Sequence, residues 1–119
     1  MDKNEKTVLL GITFEHRNGR VSIYKATLEA IGYPEYYRFR IDVEKRYFAI
    51  ESCEMNTPGS HRFMGFSRGY CQKSLGLIEQ IYDLCDWNYD KSYTSYGIPL
   101  YDGEMVGFEL KKAEETKGL

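Results

Sequence analysis

Residues 19–52 read GRVSIYKATLEAIGYPEYYRFRIDVEKRYFAIES, and the order of their periodicities decides the fold. Arg20-Val21-Ser22-Ile23 alternates polar and β-branched side chains, the period of a half-buried strand with Val21 and Ile23 inward. From Lys25 to Ile31, Leu28 and Ile31 fall three apart on one helical face. Gly32 follows as a left-handed cap, and Pro34 forbids continuation. Alternation returns from Tyr36 to Val43, with Tyr37, Phe39, Ile41 and Val43 on one face and Tyr36, Arg38, Arg40 and Asp42 on the other. Glu44-Lys45-Arg46 is a polar turn, and Tyr47 to Ser52 is the returning strand with Phe48 and Ile50 inward. The stretch is a strand, a one-turn helix and a hairpin.

Working outward, Thr7 to Glu15 alternates as a further strand, and Asn18-Gly19 is a turn that pairs it with Arg20 to Ile23. The first unit therefore covers residues 7–53. Residues 54–60, with Pro58-Gly59, read as a linker. Beyond it the order repeats over residues 61–112. His61 to Phe66 is a strand, Ser67-Arg68-Gly69 a turn and Tyr70-Cys71-Gln72 a short strand. Ser74 caps a helix whose apolar stripe is Leu75, Ile78, Ile81, Tyr82 and Cys85, widened by Leu77 and Leu84, and Asp86-Trp87-Asn88 ends it. Ser92 to Tyr101, Asp102-Gly103 and Glu104 to Leu110 form a second hairpin. All 119 residues fit one domain, mainly β with short helices (α+β).

Gly19-Arg20-Val21-Ser22-Ile23, Leu28-Glu29-Ala30-Ile31-Gly32 and the two strands around Glu44-Lys45-Arg46 together resemble the AbrB/SpoVT-like swapped-hairpin family. The resemblance covers about the first half of the chain. It implies a swapped-hairpin β-barrel, here built from two tandem strand-helix-hairpin repeats that close as a pseudo-dimer within one chain. It also implies a transcriptional regulator or antitoxin-like protein that contacts duplex DNA. Arg20 is the position that carries over to a family DNA contact. Tyr24 stands where the family usually has proline, and Leu28 and Glu29 stand where its DNA-binding members often carry basic residues.

Net charge is −2, which argues against indiscriminate nucleic-acid binding, but the charge is uneven. His16 to Arg46 balances at +3, His61 to Lys73 at +3, and Ser74 to Leu110 at −6. A fold that gathers the first two segments makes one basic face. Arg17 and Arg20 flank the first tight turn and Arg68 lies in the second. Arg38 and Arg40 share a strand face, and Lys25 and Lys73 stand at the helix starts. These seven are the candidate DNA contacts, the arginines for bases and all of them for phosphates. The competing reading pairs the arginines with Glu15, Asp42 and Glu51 across strands.

The 11 tyrosines offer a second function: a non-enzymatic protein-interaction module, such as a mobile-element or phage accessory protein, that meets its partner with an aromatic face. A homodimer is a further expected assembly. Cys53, Cys71 and Cys85 lack metal-knuckle spacing, so free thiols in a reducing cytoplasm are expected. No cysteine is placed by spacing beside His16 or His61, both read as solvated, so no catalytic site, metal or cofactor is expected. Met1 to Lys6 is charged and Val8 to Leu10 is too short for a signal peptide or a membrane span.

Overall fold

The computed structural model describes residues 9–63 and 70–116. In chain order these form β1 (Leu10–Glu15), β2 (Arg20–Ile23), α1 (Lys25–Ala30), β3 (Tyr36–Asp42), β4 (Tyr47–Ser52), β5 (His61–Arg62) and β6 (Tyr70–Lys73). There follow α2 (Leu75–Cys85), β7 (Ser92–Leu100), β8 (Met105–Glu109) and β9 (Glu114–Glu115). Single turns of 3-10 helix lie at Tyr101–Gly103 and Leu110–Lys112. The protein is mostly β, as its alternating pattern requires.

All the strands join one antiparallel sheet in the order β5-β3-β4-β8-β7-β1-β2-β6, with β9 on β7. The path curls into a half-barrel. Ile12, Phe14, Val21, Phe48, Ile50, Val106 and Phe108 fill its inner face, and Leu28, Ile31, Ile78, Ile81 and Tyr82 from the two helices complete the core. Phe14 meets Phe48 edge to face at 5.3 Å, which links strands from opposite parts of the sheet.

The order has a regularity. Exchanging β1 with β5, β2 with β6, β3 with β7 and β4 with β8 turns six of the seven pairings along the path into pairings of the same path. The exception is β1 with β2, whose counterpart would join β5 to β6, the two ends.

Both helices stop as their sequences dictate. After α1, the Gly32 N–H donates to Glu29 and the Tyr33 N–H to Leu28, with Gly32 at φ 78°, a double-bonded left-handed cap. After α2, Asp86 takes the left-handed position at φ 56°, and the Trp87 N–H reaches the Tyr82 carbonyl at 2.9 Å. The helix starts differ from expectation. Ser74 makes no side-chain cap; its N–H instead donates to the Gly19 carbonyl at 2.8 Å, which ties α2 to the β1–β2 turn. Leu75, expected in the buried stripe, is exposed because it rests at that turn rather than over the sheet.

Three other expectations change. Val43 lies in the turn after β3 and is 53 % exposed, because pairing ends at Asp42 with Tyr47. His61 is half-buried rather than fully solvated: its ring packs at 5.6 Å on both Tyr37 and Phe39. His16 stacks on Tyr89 at 3.9 Å. The first strand, expected from Thr7, is described from Leu10; Thr7 and Val8 lie outside the described residues, as do residues 64–69 of the expected 61–66 strand and its turn.

Candidate functional site

Period-2 alternation puts Arg38, Arg40 and Asp42 of β3 on the outer face of the sheet, opposite the core. On the neighbouring β4 the outer residues are Tyr47, Ala49 and Glu51. Cross-strand register places Glu51 beside Arg38, whose Nε donates to Glu51 Oε1. Arg40 Nη1 lies 3.6 Å from the same oxygen. One carboxylate therefore serves both arginines. In the same way Arg20 Nε lies 3.2 Å from Glu15 Oε1, its partner in the β1–β2 register.

The six candidate cations among the described residues do not gather in one place. Arg17, exposed in the β1–β2 turn, lies beside Arg20, and Arg20 is opposite Lys73 in the β2–β6 register. These three positions lie at the end of the sheet from which α2 starts. Arg38 and Arg40 are five strands away along the path, about 24 Å at the usual strand spacing. Lys25 opens α1 at the other end of β2 from Arg20, and Arg68 lies outside the described residues.

What the outer face does carry is apolar. On β7 the small residues Ser95 and Gly97 point inward, where a Cβ on Gly97 would meet the Phe108 ring at 2.7 Å. The larger Tyr96, Ile98 and Leu100 consequently point out, with Tyr96 46 % and Ile98 58 % exposed. Tyr101 follows at φ 52° and is 71 % exposed. Next to them the Tyr47 ring lies against Gly107, whose missing side chain makes the space: a Cβ there would be 2.6 Å from the ring.

Ala49, Tyr47, Glu51, Arg40, Asp42, Leu100, Tyr101 and Met105 line an open groove of about 570 Å³. A smaller hollow of about 270 Å³ adjoins it across Tyr47, between Tyr96, Ile98, Glu109 and Lys112. Together they make a mixed surface in which apolar side chains stand among charges of both signs. Sequence reasoning assigned the aromatic face no residues. The signal was in Ser95-Tyr96-Gly97-Ile98, where the bulky side chains alternate with ones too small to form a core.

Burial pushes the Cys85 thiol up, and burial is also the largest influence raising Cys53. Both shifts oppose formation of a nucleophilic thiolate. Among the described residues no three His, Cys, Asp or Glu side chains are placed to hold a metal ion. Nor is any described helix long and apolar enough to cross a membrane.

No family model, curated protein or solved structure matches this chain.

Proposed function

We propose that the chain is a protein-interaction module that seats an apolar segment of a partner protein on the outer face of β4, β8 and β7. The carrying observation is the exposed row Tyr96, Ile98 and Tyr101 beside a groove floored by Ala49 and walled by Leu100 and Met105. Tyrosine anchors around a small-residue floor are the make-up of an interface centre. The charges at the rim, Arg40, Asp42, Glu51, Glu109 and Lys112, fix orientation more than they add affinity. The underlying fold is read as the duplicated swapped-hairpin arrangement that the sequence resembles. Its support is the strand order, in which six of seven pairings exchange into one another.

The test is selection of peptides from a random displayed library on the native chain, followed by affinity measurements on Ile98→Asp and Tyr101→Ala. Selected peptides should be apolar and should bind each variant at least about tenfold more weakly, with folding unchanged. Peptides that bind both variants as well as the native chain would remove the proposal.

A second reading, duplex DNA, rests on a different observation: Arg17 is exposed in the β1–β2 turn, next to the strand position where Arg20 stands opposite Lys73. Phosphate contacts by three cations give steeply salt-dependent binding. Affinity for mixed duplexes should then fall as salt rises and vanish in an Arg17→Ala, Arg20→Ala, Lys73→Ala variant. Absence of binding at low salt ends this reading and leaves the first intact.

A further inference from the structure

We propose that two copies of this chain associate edge to edge through β3, in an antiparallel pairing centred on Ile41. The edge is defined by hydrogen-bond alternation. Cys53 donates to the Tyr36 carbonyl, so the backbones of residues 36, 38, 40 and 42 face β4. Phe63 donates to the Glu35 carbonyl, so residues 35 and 37 face β5. The same alternation turns the N–H and C=O of Phe39 and Ile41 toward the open side, where no described strand pairs with them. β5 cannot grow to cover them. Upstream of it the chain closes into its own turn, with the Ser60 N–H on the Thr57 carbonyl and Ser60 Oγ on the Met55 carbonyl.

The side chains say what fits. Natural edges carry charges that repel stray strands, and here the two outer charges beside the open positions are of opposite sign, Arg40 and Asp42. Placing Ile41 against the Ile41 of a second copy sets Arg40 opposite the second copy's Asp42, twice, by two-fold symmetry. On the inner face it sets Ile41 on Ile41 and Phe39 near Val43, an apolar residue the monomer leaves exposed. Shifting the register by two residues one way puts Arg40 on Arg40, and the other way puts Asp42 on Asp42, so the charge pattern favours the alignment on Ile41. Arg40 has room for it, because its side chain is largely exposed despite the contact with Glu51, and the exposed Asp42 accepts the Lys45 N–H with Oδ1.

Sedimentation of the full chain over a wide concentration range tests this, with Arg40→Asp and Asp42→Lys examined singly and mixed in equal amounts. The native chain should dimerise. Each variant alone sets two like-charge pairs across the interface and should dimerise about tenfold more weakly. The mixture should recover the native affinity. In the mixed dimer the two introduced charges, of opposite sign, face each other, and the Asp42 kept by one variant meets the Arg40 kept by the other. Amide exchange at Phe39 and Ile41 in the native chain should slow as concentration rises. A native chain that stays monomeric overturns the proposal and leaves the edge to a strand of another protein. A dimer indifferent to both single changes, or single defects that the mixture does not repair, overturns it as well.

Discussion

The hydroxyl of Tyr82 shows how much one polar atom can organise. It accepts the His16 N–H at 3.2 Å and lies within hydrogen-bond reach of two carbonyls, Phe14 at 2.9 Å and Lys91. With a single proton it donates to one of them at a time. Desolvation pushes its pKa up to about 12, so the donor is intact at any physiological pH. Tyr82→Phe keeps the ring against Trp87 but strands a backbone N–H and a carbonyl, and should cost about 1–3 kcal/mol in urea unfolding. Gly107→Ala should cost a similar amount, about 1–3 kcal/mol, by driving a methyl into the Tyr47 ring. Adding Tyr47→Ala to it should destabilise by less than the sum of the two single changes, because the clash partner is gone; additive costs would show that the ring does not need the glycine.

Among the elements, β5 is one of the two shortest strands described: two residues hold it to β3, and His61 is one of them. Burial lowers the His61 pKa below the ordinary value of about 6.5. The unfolded chain therefore takes up this proton first as pH falls. The stability it contributes is complete above about pH 7.5 and is lost as pH drops through the ordinary histidine range. His61→Gln should flatten that part of the pH–stability curve between about pH 7.5 and 5.5, and an unchanged slope would place the effect elsewhere. The two hairpins, both helices and their stops were legible in the sequence, because alternation, helical spacing and left-handed caps are local signals. The half-burial of His16 and His61, both expected to be solvated, was hidden because the aromatic rings beside them come from other parts of the chain. The dispersal of the candidate arginines was hidden for the same reason. The pairing of arginines with Glu15 and Glu51 was legible as the competing reading, because it follows from strand alternation, whereas the dispersal follows from the strand order of the whole sheet.

At the scale of the whole molecule, the two halves are interleaved. β1 lies on β7, β2 on β6, β3 on β5 and β4 on β8, so each half finds pairing partners in the other. Residues 1–56 and 57–119, produced separately, should each lack a cooperative unfolding transition, and mixing them should restore one. A half that unfolds cooperatively by itself would contradict the interleaving. The pairings also impose an order in time on the cell. Ile12 is made 83 residues before Ser95, the residue it faces. At about 5–20 residues per second, the ribosome leaves β1 without its central neighbour for about 4–17 s. Through that interval Ile12 and Phe14 have β2, α1 and the β3–β4 hairpin to pack on, but the β7 side of β1 is unpaired, so a nascent chain stalled before β7 presents a sticky, incomplete sheet to chaperones and proteases.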